Sequence, residues 1–149
     1  TIDELVLNQA LENFEENSNY KKSLDVRDFD IFFAKGLSLE NGAATITNFT
    51  ATLIANGMRY AHGIGQPMIN KWLVCGGGRK NKYLLESIKN IFEKTNIEPI
   101  DQYEIDGDFV ESQAFGYLAI RSFLNLPISF PSTTGCRKPC TGGVLVKNF

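Results

Sequence analysis

Leu73-Val74-Cys75-Gly76-Gly77-Gly78-Arg79-Lys80-Asn81 is the stretch on which the reading of this chain turns. Leu73 to Cys75 is a short apolar run closed by glycines, the pattern of a buried parallel strand. From about Asn81 onward, Leu84, Ile88 and Ile91 fall on one face while Lys82, Lys89 and Lys94 lie elsewhere, which predicts a helix. A strand that runs through glycines into a helix lets backbone approach a flat or anionic ligand without obstruction by a Cβ. The N–H groups and positive dipole end at the start of that helix suit a nucleotide phosphate or a ribose edge. The plainer alternative is a tight turn that needs positive φ. Three successive glycines, however, cost more unfolded-chain entropy than one turn requires.

Two better-known glycine loops can be tested against the stretch. A P-loop needs a lysine followed by serine or threonine after its last glycine, and that arrangement does not occur here. The dinucleotide fingerprint G-x-G-x-x-G fails at its last position, where Asn81 stands. Asp101 lies at about the right distance to be the ribose acid, so a Rossmann-type oxidoreductase domain is the runner-up.

Around this centre the chain alternates between helices and short strands. Thr1-Ile2-Asp3-Glu4 fits a capping box, and Leu7, Leu11 and Phe14 follow at helical spacing. Lys21 to Gly36 reads as an irregular segment pinned by Phe29, Ile31, Phe32 and Phe33. A second helix is predicted from near Asn41, with Ile46, Phe49 and Leu53 as its stripe and Ala61 to Gly65 as its end. Ile97 to Ile105 holds one short strand or extended connection. Asp108 is then expected to cap a further helix, with Val110, Ala114, Tyr117 and Leu118 inward and Asn125-Leu126-Pro127 as its stop. A loop from Pro131 to Gly135 leads to an apolar turn around Val144-Leu145-Val146. The order indicates an α/β domain with few strands, whose sheet other residues could complete.

The composition fits that class and excludes others. The chain has 149 residues, 43% hydrophobic and 21% charged, with a net charge of −2. Lysine and arginine are scattered among aspartate and glutamate, so there is no electrostatic reason to expect nucleic acid or a polybasic membrane contact. No run approaches transmembrane length, and Thr1 to Glu4 lacks the basic and apolar regions of a signal peptide. A cytoplasmic location is expected, with Cys75, Cys136 and Cys140 reduced. Cys136 and Cys140 have no second ligand pair and His62 is distant, so no metal site is expected.

Glu111 is the second residue to weigh. It shares a helical face with Phe115 and Leu118. Either it stands at the rim of a cleft, or it completes a capping box in which Asp108 is the N-cap and Glu111 the N3 residue. From the chemistry alone capping is the stronger of the two.

Five segments in this order resemble the anhydro-N-acetylmuramic acid kinase family. They are Lys22-Ser23-Leu24-Asp25 with Asp28-Phe29, then Asn41 to Thr47 with Phe49-Thr50-Ala51, then Cys75 to Asn81. The fourth is the set Asp101, Ile105, Asp108, Glu111, Ala114 and Phe115, and the fifth is Leu126-Pro127 with Pro131 to Gly135. The resemblance implies an actin-like (ribonuclease H-like), two-lobed sugar-kinase fold with ATP and Mg²⁺ between the lobes. Residues 1–149 would be its C-terminal lobe. It implies that Gly76, Gly77, Gly78 and Asn81 border the adenosine and that Glu111 faces the sugar, which reverses the ranking for Glu111.

The family reaction, as the resemblance implies it, opens the 1,6-anhydro bridge with water while O6 takes the γ-phosphoryl group. The product is N-acetylmuramate 6-phosphate, in the recycling of peptidoglycan sugars. The family's phosphate loop and its water-activating aspartate have no counterpart here, so no catalytic residue is assigned in this chain. A partner is therefore expected in the N-terminal half of the kinase, if that is encoded separately, besides the sugar substrate and the pairing common to family members. Departures from the pattern are Lys21 for proline, Glu104 for glycine, Ser112 for alanine, and Val146-Lys147 for small residues. A noncatalytic nucleotide-binding or interaction module is the alternative within the same fold.

Overall fold

The structure is a computed structural model that describes residues 1–17, 26–62, 69–92 and 95–146. Lys21 to Asp25, Gly63 to Gly65, Lys94 and Lys147 lie outside the described residues, as does the side chain of His62.

Among the described residues five helices and two strands follow one another. They are α1 (Glu4–Asn17), α2 (Leu39–His62), β1 (Lys71–Val74), α3 (Lys82–Ile91), β2 (Asn96–Pro99), α4 (Val110–Phe123) and α5 (Pro131–Thr134). Single 3-10 turns occupy Val26–Asp28, Phe32–Ala34, Gly77–Lys80 and Ile100–Tyr103. β1 and β2 pair in parallel, with Lys71 opposite Asn96, Trp72 opposite Ile97, Leu73 opposite Glu98 and Val74 opposite Pro99. The unit β1–α3–β2 is therefore a βαβ crossover, and among the described residues the sheet has these two strands only.

α2 is buried on two sides. Phe49 and Leu53 meet Leu7, Ala10 and Phe14 of α1 in one cluster. Phe49 stands edge-on to Phe14 at 6.1 Å, and Phe29 stacks on Phe14 at 5.6 Å. Phe29 and Phe33 thus realise part of the aromatic pinning read from the sequence, Phe33 lying 5.0 Å from Phe49, whereas Ile31 and Phe32 remain 59% and 75% exposed. On its other side α2 places Ala51, fully buried, against Ile88 of α3 and Ile97 of β2. Small residues here let α2 approach the crossover closely, because they interpose little volume between the backbones.

Local capping departs from the expectations in three places. Asp3, not Thr1, caps α1: its carboxylate accepts the Val6 N–H at 3.1 Å, and its own N–H donates to Thr45 Oγ1, so a simple N-cap replaces the expected capping box. Ser38 opens α2 by accepting the Asn41 N–H at 3.3 Å, so the helix begins at Leu39, two residues ahead of the expected start. The third departure concerns Asp108 and belongs to the site. Asn125 adopts φ 57° just past α4 and its N–H bonds to the Ser122 carbonyl at 3.0 Å, which confirms the predicted stop.

α4 does not pack as expected. It holds no buried residue, and Ala114 and Tyr117, read as inward, are exposed. Its apolar periodicity is real, but none of the other described elements covers it.

Candidate functional site

The glycine stretch sits at the carboxyl end of β1, where the chain leaves the sheet. Gly76 is the position that the fold itself demands. Its φ is 76°, a region that side chains rarely adopt, and its N–H donates to the Gly107 carbonyl at 2.9 Å. Gly77 and Gly78 are different. A Cβ built at Gly77 would meet nothing within 4 Å, and one at Gly78 would lie in ordinary contact with Leu84 Cδ2 at 3.9 Å. Both are exposed, and neither has positive φ. The turn explains the first glycine and leaves the next two unexplained by packing or backbone geometry.

Asn81 is the N-cap of α3: its Oδ1 accepts the Leu84 N–H at 3.1 Å. Its side-chain NH₂ makes no hydrogen bond to another described residue and faces solvent. Beside Gly78 opens an apolar cavity of about 320 Å³, walled by Met58, Trp72, Val74, Leu84 and Ile88.

What fixes the loop is a residue to which sequence reasoning gave no role. The Arg79 side chain is only 7% exposed and holds Asp101 in a two-pronged pair, Nε to Oδ2 at 2.7 Å and Nη2 to Oδ1 at 2.8 Å. Its Nη1 donates to Asp108 Oδ1 at 2.6 Å and to the Gly76 carbonyl at 3.0 Å, while Asp106 stands 3.8 Å away. Such fork-to-carboxylate pairing fixes orientation as well as charge. Lys80 closes the cluster by reaching Asp108 Oδ2 at 2.6 Å.

The electrostatics follow from this geometry. Hydrogen bonds from Arg79 first, and Lys80 second, pull the Asp108 carboxyl down to about 2. The Arg79 hydrogen bonds hold Asp101 well below the usual carboxylate range, and the two carboxylates in turn raise the guanidinium further above its ordinary value. Gly107 completes the arrangement. A Cβ there would lie 2.5 Å from Arg79 Nε and 2.8 Å from Cζ, so the absence of a side chain is what lets the guanidinium in.

Two sequence expectations change here. Asp101, the candidate ribose acid of a dinucleotide fold, is occupied by Arg79. Asp108 does not cap α4: the N-cap is Phe109, with no side-chain hydrogen bond, because the Asp108 carboxylate is turned to Arg79 and Lys80. The capping box that gave Glu111 a purely structural explanation is therefore not formed. Glu111 is exposed in the first turn of α4, and its carboxylate makes no hydrogen bond or ion pair to another described residue. It is joined to the glycine loop only indirectly, through Asp108 three residues before it.

Glu104 adds a local observation. It occupies the left-handed region at φ 60° and ψ 21°, a conformation that glycine adopts without strain. The expected departure of glutamate for glycine thus falls at a backbone conformation that glycine adopts more readily.

Residues 26–148 match the profile of the anhydro-N-acetylmuramic acid kinase family. The chain belongs to that family. It is 50% identical over 148 residues to the anhydro-N-acetylmuramic acid kinase of Pelagibacter ubique, covering 98% of this chain and 40% of the relative. The kinase of that name from Rhizorhabdus wittichii is 42% identical over 97% of this chain and 38% of its own length. The Brucella canis kinase is 36% identical over 99% and 39% respectively. The chain thus spans about two fifths of the curated relatives it matches. The kinase family replaces the Rossmann-type reading.

Among the described residues no helix is long and apolar enough to cross a membrane, and no three His, Cys, Asp or Glu side chains converge as a metal-ligand set. The three cysteines are free thiols.

Proposed function

We propose that this chain forms the nucleotide-facing side, and part of the sugar-facing side, of an ATP-dependent anhydro-N-acetylmuramic acid kinase of peptidoglycan recycling. It would be the C-terminal lobe of an actin-like fold and would work in the cytoplasm. The observation that carries the reading is the freedom of Gly77: the fold does not need that glycine, so a ligand does. Gly76, Gly77 and Gly78 would lie against the adenosine, and the Asn81 NH₂ is the donor left over from capping. The cavity beside Gly78 has apolar walls against which a base could lie. Glu111, free of any capping duty, would accept a hydroxyl of the sugar.

ATP supplies the phosphoryl group that the sugar O6 receives as the anhydro bridge is opened by water. The residues of this chain bind and orient. Arg79 acts as a positioning residue, tying the glycine loop to the turn that carries Glu111 so that the two ligand-facing elements keep one spacing. Asp101 and Asp108 are committed to Arg79 and Lys80, so this cluster does not fit Mg²⁺. Phosphoryl transfer depends on positioning and on stabilising charge, so a chain without the phosphate loop and the water-activating aspartate would bind without turning over.

The test is calorimetric. The chain should bind ATP weakly, and Gly77→Val should abolish the heat while leaving thermal unfolding unchanged. Equal heats from both proteins would reduce the loop to a turn.

A further inference from the structure

The turn that follows α4 brings two thiols together. Ser129 and Cys140 exchange both backbone hydrogen bonds, at 3.2 and 3.1 Å, as an isolated antiparallel pair. Residues opposed in this way carry their side chains on one face, within reach of each other. On that face the Ser129 hydroxyl is bonded to the hydroxyl of Thr134, two residues before Cys136. Gly135, at φ 69°, ends α5 and swings the chain round, and a bend at Arg137 and Lys138 returns it to the pairing position. The two cysteines therefore converge on the same pair of hydroxyls. The Cys136 sulfur takes hydrogen bonds from Thr134, Ser129 and the Cys140 thiol, and these, that of Thr134 above all, lower its pKa against the opposing effect of burial. Cys136 is partly buried and Cys140 exposed, so a small solute can reach the pair. Among the described residues no third His, Cys, Asp or Glu joins them as a metal-ligand set, which leaves the chemistry of the thiols themselves.

We propose that Cys136 and Cys140 are a reversible redox pair: a hydroperoxide oxidises Cys136, and Cys140 resolves the product as a disulfide across the turn. The Cys136 thiolate attacks the terminal oxygen of the hydroperoxide, and the O–O bond breaks. Cys136 becomes a sulfenic acid, and the departing alkoxide takes a proton and leaves as an alcohol. The Cys140 thiol then attacks the sulfenic sulfur, the S–S bond forms and water departs. Two thiols have lost two electrons and two protons, and the hydroperoxide has become an alcohol and water. Cys136 is the first to react because the hydroxyls beside it stabilise its thiolate, and the thiolate is the nucleophile. Cys140 follows because its sulfur already touches that of Cys136. The bridge closes only the loop 136–140, too short to stabilise the fold much, which suits a bond that is made and broken. None of this depends on the kinase reading.

For the test, the whole chain is treated with tert-butyl hydroperoxide at neutral pH, free thiols are alkylated, and tryptic peptides are mapped without reduction. Cleavage after Arg137 separates the two cysteines, so the disulfide is read as a linked pair of peptides. The expected result is that linked pair in a protein that runs as a monomer on a non-reducing gel, with dithiothreitol restoring both thiols. Cys140→Ser should leave Cys136 as a sulfenic acid that dimedone traps. Cys136→Ser should slow the loss of the Cys140 thiol at least about tenfold. Linked peptides found only in covalent dimers, a disulfide to Cys75, or equal oxidation rates of Cys140 with and without Cys136 overturn the inference. Persistence of both thiols under conditions that fully oxidise free glutathione does the same.

Discussion

Gly107→Ala isolates the contact on which the site's geometry depends. The added methyl would sit 2.5 Å from Arg79 Nε, 2.8 Å from Cζ and 2.9 Å from Cδ, closer than packed atoms come. A free arginine would swing aside cheaply. This one is held by Asp101, Asp108 and the Gly76 carbonyl, so moving it breaks several bonds at once. Overpacking costs about 1–3 kcal/mol, and the pinning places this case near the top of that range. Replacing glycine with alanine at a position of ordinary φ returns about 0.4–1 kcal/mol by stiffening the unfolded chain. The net loss is about 2 kcal/mol, or a melting temperature lower by about 4–8 °C in a chain of this size. Gly77→Ala is the control, because its Cβ enters open space and should change stability by less than about 0.5 kcal/mol. Differential scanning calorimetry on the three proteins gives the answer. If Gly107→Ala melts with the parent, Arg79 is not held as described and the loop is not clamped.

Two further outcomes follow from the same cluster and its neighbour. Asp101 and Asp108 are more acidic folded than unfolded, so their contribution to stability is complete above the ordinary carboxylate pKa near ~3.9 and is lost as pH falls toward about 2. Thermal unfolding between about pH 4 and about pH 2 should therefore fall more steeply for the wild type than for Arg79→Met; parallel curves would show that the pairs contribute nothing. Glu111→Gln, made in an intact kinase carrying this lobe, should cut turnover while shifting stability by less than about 0.5 kcal/mol. A normal turnover with a lower melting temperature would return Glu111 to a capping role.

The parts of the molecule legible in the sequence are those settled by local chemistry. β1, the glycine exit and α3 could be read in order because an apolar run, a glycine cluster and a 3.6-residue period occupy adjacent positions. The strand, however, runs from Lys71 to Val74 rather than from Leu73 to Cys75, and Leu73, read as buried, is 44% exposed. Asn125 marked the end of α4 because few residue types tolerate the left-handed region it occupies. Asp108 was misread for the opposite reason. A carboxylate three residues before Glu111 looks like a cap, but Arg79, 29 positions earlier, competes for it with a shorter and charged hydrogen bond. The signal that could have revealed this was present: three aspartates at 101, 106 and 108, and an arginine directly after the glycines. The inward face assigned to α4 failed because periodicity tells which side of a helix is apolar and not whether anything covers it.

The central claim is that these 149 residues bind and position without completing the phosphoryl-transfer site. Incubation with Mg-ATP and 1,6-anhydro-N-acetylmuramic acid, followed by mass spectrometry for the 6-phosphate, tests it most directly, with the intact Pelagibacter ubique relative as positive control. The account predicts product from the relative and none from this chain. Sugar 6-phosphate formed by this chain alone, above the background of the expression host, would contradict it.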